Sequence, residues 1–125
     1  MLALAGYPLG MRFTCVEPGQ NSPLGQIAPQ ITAAYDDEIA LTDLVAKSDV
    51  ITYEFENVPM RSAYFLNARG NLYPPPVALE IGQDRVAEKT FFRLLGIPTP
   101  AFAAVDTLAD LPAAAAEIGF PAVLK

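Results

Sequence analysis

The sequence predicts an α/β fold in which a parallel sheet carries helices on both faces. Predicted strands and helices alternate from the start of the chain to about residue 82, which is typical of a parallel sheet. Hydrophobic residues make up 52% of the 125 residues, enough to fill a core. Twelve prolines fall between the apolar runs and indicate a globular chain of many short elements.

The strands are predicted from short runs of residues that favour extended backbone. The clearest covers residues 50–55, because Val, Ile, Thr, Tyr and Phe all have high strand propensity. The others are expected at residues 12–16, 30–34, 72–73 and 102–105, with a last strand only beginning at 121–125.

The helices are predicted from apolar periodicity and from residues that start or stop a helix. Asp36 or Asp37 can cap a helix that runs to about Lys47. The remaining helices are expected over residues 1–9, 59–69, 77–81 and 85–95, and from a cap at Asp106 or Thr107 through Ile118.

The composition excludes several classes of function. With a net charge of −6 and only 8 Lys and Arg residues, the chain has no basic surface for nucleic acid or for anionic lipid. No apolar run is long enough to span a membrane, so we expect a soluble, cytoplasmic protein. One cysteine and no histidine exclude an internal disulfide and Cys/His zinc sites, and Cys15 is expected in the core rather than as a nucleophile.

Glu54 and Glu56 are the first candidate site residues. Side chains alternate along a strand, so both carboxylates are expected on one face at the carboxyl end of strand 50–55. Ligands bind at that edge of open parallel sheets, where a carboxylate can accept hydrogen bonds from sugar hydroxyls or an amine. The alternative is that one glutamate only caps the next helix.

Three cations are further candidates. Arg85 and Lys89 lie one turn apart on a predicted helix and could meet an anion, or they could pair with Asp84 or Glu88 on a solvated face. Lys125 could reach a phosphate as a point charge or simply lie in solvent.

Several motifs occur together in an order that resembles a known family. They are Met1-Leu2-Ala3-Leu4-Ala5 with Pro8-Leu9-Gly10, Ala34-Tyr35-Asp36-Asp37, Tyr53-Glu54-Phe55-Glu56-Asn57-Val58-Pro59, Gln83-Asp84-Arg85 with Lys89, Gly96-Ile97-Pro98-Thr99-Pro100 and Gly119-Phe120-Pro121-Ala122-Val123-Leu124-Lys125. Across its whole length the chain resembles the 5-(carboxyamino)imidazole ribonucleotide synthases. The Glu-Phe-Glu-Asn-Val-Pro segment is the most specific part, whereas the last motif is common among ATP-grasp enzymes.

The resemblance implies a ligase of purine biosynthesis. Such enzymes use MgATP to activate bicarbonate and transfer the carboxyl group to 5-aminoimidazole ribonucleotide, and they usually act as homodimers. It also implies that residues 1–82 form a Rossmann-like pre-ATP-grasp domain and that residues 83–125 begin an ATP-grasp domain. Glu54 and Glu56 then become ribonucleotide-binding residues, and Arg85 and Lys125 become ATP-binding residues.

The sequence departs from the family pattern at both ends. The family's first strand and Gly-Gln-Leu-Gly-Arg loop would precede Met1, and its phosphate loop and magnesium ligands would follow Lys125. No catalytic or metal residue is therefore expected within the chain, which alone should fold poorly and be inactive. Two alternatives stay open: a nucleotide-binding module without catalysis, and another ATP-grasp enzyme such as the formate-dependent glycinamide ribonucleotide transformylase.

Overall fold

The computed structural model describes all residues from 1 to 125, which form two compact units. The first unit covers Met1–Glu80 and contains every paired strand. The second unit covers Ile81–Lys125.

The sheet of the first unit is short and parallel. β1 (Cys15–Val16) pairs with β2 (Gln30–Ile31), with Cys15 opposite Gln30 and Val16 opposite Ile31. The Glu17 amide donates a hydrogen bond of 3.1 Å to the Ile31 carbonyl, beyond the last paired residue of β1. The predicted α/β class with parallel strands is confirmed, although both strands are shorter than expected.

A second parallel contact joins Ile51 to Leu72. The Ile51 amide donates to the Asn71 carbonyl, and the Tyr73 amide donates to the Ile51 carbonyl, each at 2.9 Å. The prediction of a strand over residues 50–55 is wrong beyond this single bridge, because residues 54–57 form a bend and a turn. The predicted strands at 102–105 and 121–125 are also wrong, since these residues have irregular backbone without ladder partners.

The helices of the first unit follow the sequence closely. They are α1 (Leu2–Gly6), followed by a 3₁₀ turn over Tyr7–Leu9, then α2 (Glu38–Lys47), α3 (Met60–Asn67) and α4 (Pro76–Gln83), which runs past the end of the unit. Gly10 ends the 3₁₀ turn at a φ of 78°, a conformation that glycine adopts without steric cost.

The helix α2 begins at a carboxylate cap. The Asp37 side chain accepts hydrogen bonds from the Ile39 and Ala40 amides, at 2.9 and 3.1 Å. The structure therefore selects Asp37 over Asp36 as the cap. Asp36 instead forms an ion pair with Arg61 of α3.

The core of the first unit joins α2, α3 and α4 to the paired backbone segments. Its buried residues are Leu41, Leu44, Ile51, Ala63, Leu66, Leu72 and Leu79. Val16 of β1 and Ile31 of β2 pack against this cluster from the sheet. Burial of these side chains fixes the carboxyl ends of both strands relative to the helices.

The second unit contains two helices, α5 (Arg85–Leu94) and α6 (Leu111–Ile118). The Asp84 carboxylate caps α5 by accepting a hydrogen bond of 2.7 Å from the Ala87 amide. The predicted start of α6 at Asp106 or Thr107 is wrong. The Asp110 carboxylate accepts hydrogen bonds from the Thr107 amide and hydroxyl, which closes a turn before the helix.

No helix is both long enough and apolar enough to cross a membrane.

The cap of α2 gives a direct test of this fold. Replacing Asp37 with Ala should destabilise the first turn of α2 by about 1 kcal/mol, because two amides lose their acceptor. Amide exchange at residues 38–41 should then be about fivefold faster in a folded protein that contains this chain. Asp43→Ala, which removes only an exposed ion pair with Lys47, is the control. Equal exchange in both variants would contradict the assigned cap.

Candidate functional site

Polar side chains gather where β1 and β2 end. Glu17 directly follows β1, and its carboxylate accepts a hydrogen bond of 2.5 Å from the Tyr35 hydroxyl. The Gly19 amide donates to the other carboxylate oxygen at 3.0 Å. The carboxyl edge of parallel strands is where open α/β sheets bind ligands, so this edge is the candidate functional site.

Gln30 of β2 holds the loop after β1 against this edge. Its side-chain amide donates to the Glu17 and Gly19 carbonyls at 3.2 and 2.6 Å, and its side-chain oxygen accepts from Ser22 at 2.6 Å. A Cβ atom on Gly25 would lie 2.1 Å from the same oxygen, so a side chain there would displace the Gln30 amide from these partners. The Gln30 side chain therefore orders the loop through both its amide nitrogen and its amide oxygen.

The electrostatics of Glu17 and Tyr35 favour a charged acid beside a neutral phenol. The hydrogen bond from Tyr35, followed by that from the Gly19 amide, lowers the pKa of Glu17. Partial burial, reinforced by the neighbouring carboxylate, raises the pKa of Tyr35 to about 12. At neutral pH the pair is thus a carboxylate acceptor and a hydroxyl donor.

The segment that carries Glu54 is held by the aromatic residues on each side. The Tyr53 hydroxyl donates to the Pro74 and Pro75 carbonyls at 3.1 and 3.3 Å. The Phe55 ring meets the Tyr35 ring edge to face, with centroids 5.4 Å apart. Glu54 lies between these two attachments, and its side chain remains 55% exposed.

The two glutamates do not share a strand face as the sequence predicted. Glu54 and Glu56 lie in a bend and a turn because the backbone finds no ladder partner after Ile51. Both are exposed, and Glu54 Oε1 lies 4.0 Å from the Met1 nitrogen at the start of α1. Glu54 is thus available to a ligand, beside the amino end of α1.

The contact between Tyr35 and Phe55 brings two parts of the sequence into one site. Glu17 and Tyr35 were missed by the sequence analysis, since 18 residues separate them and no periodicity links them. The rule that ligands bind at the carboxyl ends of parallel strands could have indicated them, because each follows a predicted strand. The ring contact places the segment that carries Glu54 beside the Glu17–Tyr35 pair.

The second unit contains the predicted nucleotide-binding residues. The Arg85 guanidinium forms an ion pair of 2.7 Å with Glu88 in the same helix, and its side chain is 57% exposed. Lys125 is exposed at the end of an irregular segment. That folding brings these two residues to one nucleotide stays a prediction.

Other cations of α5 interact with an aromatic ring. Lys89 and Arg93 lie over Phe102, at 5.2 and 4.1 Å from its centroid. Lys89, one of the sequence candidates, thus stacks on a ring. Among residues 1–125, no group of three or more His, Cys, Asp or Glu side chains is arranged to hold a metal ion.

Most of the chain matches a known protein family. The model of the ribonucleotide synthetase pre-ATP-grasp domain matches residues 1–83. The chain belongs to this family. The Glu17 and Glu54 edge is thus part of a ribonucleotide synthetase pre-ATP-grasp domain.

Similar proteins extend the likeness beyond the pre-ATP-grasp domain. N5-carboxyaminoimidazole ribonucleotide synthase of Pseudomonas aeruginosa is 47% identical over all 125 residues, which correspond to 35% of that protein. The crystal structure of the synthetase from Thermus thermophilus is 46% identical, with a TM-score of 0.87 over 97% of this chain and 34% of that one. The Staphylococcus aureus synthetase complexed with ADP is 33% identical, with a TM-score of 0.84 over 97% of this chain and 33% of that one.

These likenesses confirm the resemblance found in the sequence motifs. The chain spans about a third of the length of the curated relatives it matches. They also confirm the α/β pre-ATP-grasp fold that the resemblance implied.

The hydrogen bond between Tyr35 and Glu17 can be tested by titration. In Tyr35→Phe the pKa of Glu17 should rise toward its ordinary value of 4.5, because the largest cause of its lowering is removed, while the Gly19 amide retains part of the effect. The stability contributed by Glu17, present above its unfolded pKa and lost as pH falls through its lower folded pKa, should shrink correspondingly. Carboxyl-carbon NMR titration measures this, and an unchanged Glu17 pKa would contradict the assigned bond.

Proposed function

We propose that this chain is the ribonucleotide-binding part of a ligase that carboxylates 5-aminoimidazole ribonucleotide in purine biosynthesis. The observation that carries the proposal is the 47% identity to N5-carboxyaminoimidazole ribonucleotide synthase over all 125 residues. The relatives reported above are all named as carboxyaminoimidazole synthases or synthetases. This favours the carboxylation reaction over formyl transfer to glycinamide ribonucleotide.

The proposed reaction has two steps. Bicarbonate attacks the γ-phosphorus of ATP, which forms carboxyphosphate and releases ADP. The exocyclic amine of the ribonucleotide then attacks the carboxyl carbon, phosphate leaves and the amine loses a proton. The chain's part in these steps is to bind the substrates, which lowers the entropic cost of their reaction.

Glu54 is the residue proposed to bind the ribonucleotide. Its carboxylate is exposed, and the side chains on each side of it are held in place. A carboxylate held in this way can accept hydrogen bonds from ribose hydroxyls or from the amine. Glu56, also exposed two residues later, is the second candidate.

Arg85 and Lys125 are proposed to bind ATP. Both are exposed cations suited to phosphate. Arg85 forms an ion pair with the partly buried Glu88 carboxylate, and a phosphate would compete with this pair. ATP supplies the phosphoryl group that activates bicarbonate, and the ADP complex of a relative supports a nucleotide as substrate.

Magnesium does not fit the side chains of this chain, because no acidic cluster is present to hold it. Its ligands are proposed to come from outside residues 1–125, so no step is assigned to the metal here.

We propose that residues 1–82 are the pre-ATP-grasp domain and residues 83–125 begin the ATP-grasp domain. The whole enzyme is proposed to be a cytoplasmic homodimer with small-molecule substrates and without nucleic acid or membrane partners.

A chimera tests these roles. In it, residues 1–125 replace the aligned segment of the Pseudomonas aeruginosa relative. Glu54→Ala should raise the KM for 5-aminoimidazole ribonucleotide by about tenfold or more, since a hydrogen bond to a charged group is lost, and should leave the KM for ATP nearly unchanged. Arg85→Ala should show the reverse pattern.

Asp49→Ala, which removes another exposed acid before Ile51, is the matched control and should change neither KM. An unchanged KM for the ribonucleotide in Glu54→Ala would remove Glu54 from the site. A chimera without carboxylation activity, although folded, would contradict the proposed function.

A further inference from the structure

We propose that Tyr35 is a positioning residue, which sets the place of Glu54 for the ribonucleotide through the contact of its ring with Phe55. The inference rests on the proposed function. It assigns a role to Tyr35, which lies at the sheet edge beside Glu17.

Tyr35 is held in place by two attachments. Its hydroxyl donates to the Glu17 carboxylate at 2.5 Å, directly after β1, and the Gly19 amide holds the other oxygen of that carboxylate. The next residue, Asp36, is ion-paired with Arg61 of α3. Tyr35 is therefore attached to the sheet through its own side chain and to a core helix through its neighbour.

Tyr35 restrains the segment that carries Glu54. Residues 54–57 form a bend and a turn, and the ladder ends at Ile51, so strand pairing does not fix Glu54. Side-chain contacts do so instead. Tyr53 is bonded to the carbonyls before α4, and Phe55 packs edge to face on Tyr35.

Loss of the contact between Tyr35 and Phe55 would release the segment that carries Glu54. Phe55 is 40% exposed, so the Tyr35 ring is an important restraint on it rather than one of many core contacts. An aromatic pair of this kind changes an equilibrium by about two- to tenfold. Without it, Glu54 would occupy several positions, and the ribonucleotide would have to select one of them.

The structure offers a matched control elsewhere in the first unit. Tyr7 also meets a phenylalanine edge to face, Phe13, at the same centroid distance of 5.4 Å. Its hydroxyl also donates to an oxygen, the Ile27 carbonyl, at 2.6 Å. Tyr7→Leu thus removes contacts of the same kind as Tyr35→Leu, but with Phe13 instead of Phe55.

The experiment uses three variants of the chimera: Tyr35→Leu, Tyr35→Phe and Tyr7→Leu. Tyr35→Leu should raise the KM for the ribonucleotide about three- to tenfold, with the KM for ATP changed less than about twofold. Tyr35→Phe keeps the ring and should recover most of the ribonucleotide affinity. Tyr7→Leu should leave both KM values close to those of the parent chimera.

Backbone mobility of residues 53–58, measured by NMR relaxation, provides a readout that does not need activity. It should be greater in Tyr35→Leu and unchanged in Tyr7→Leu. Unchanged mobility in Tyr35→Leu would overturn the inference, as would equal KM effects of Tyr35→Leu and Tyr7→Leu. An inactive parent chimera would instead count against the proposed function, with the relaxation measurement still deciding the role of Tyr35.

Discussion

The parallel pairing of Cys15–Val16 with Gln30–Ile31 is the constraint on which the site depends. Parallel strands end at the same edge, so the residues that follow them meet there although they are distant in sequence. This pairing puts Glu17 within reach of Tyr35 and lets Gln30 bind the backbone of the loop after β1. Val16 and Ile31 pack against the helical core and thereby fix this edge.

The edge is held together largely by polar contacts of intermediate exposure, rather than by deep burial. Glu17, Gln30 and Tyr35 are all partly buried, and each has hydrogen-bond partners within the chain. A charged acceptor strengthens such bonds, and satisfying these groups internally leaves them rigid. Glu54, in contrast, is exposed and lacks a strand partner, which suits a group that exchanges water for a ligand. The arrangement therefore separates rigid supporting residues from the one proposed to bind.

Much of this fold was predictable because its helices have local signals. Asp37 and Asp84 each precede an apolar or charged periodic run, and each caps the helix that follows. Strands were predicted less well, since a strand requires a partner: residues 50–55 have ideal composition, yet only Ile51 is paired. Glu54 became a candidate from its motif and its place at the end of a β-forming run, whereas the contact of Phe55 with Tyr35 depends on tertiary packing that no local pattern reveals.

The central claim is that this edge presents Glu54 to a ribonucleotide. A crystal structure of the chimera with 5-aminoimidazole ribonucleotide tests it most directly. A Glu54 carboxylate oxygen should lie within about 3.2 Å of a ribose hydroxyl or of the amine, with the Tyr35 and Phe55 rings still in contact. A ribonucleotide bound elsewhere, with Glu54 directed into solvent, would contradict it.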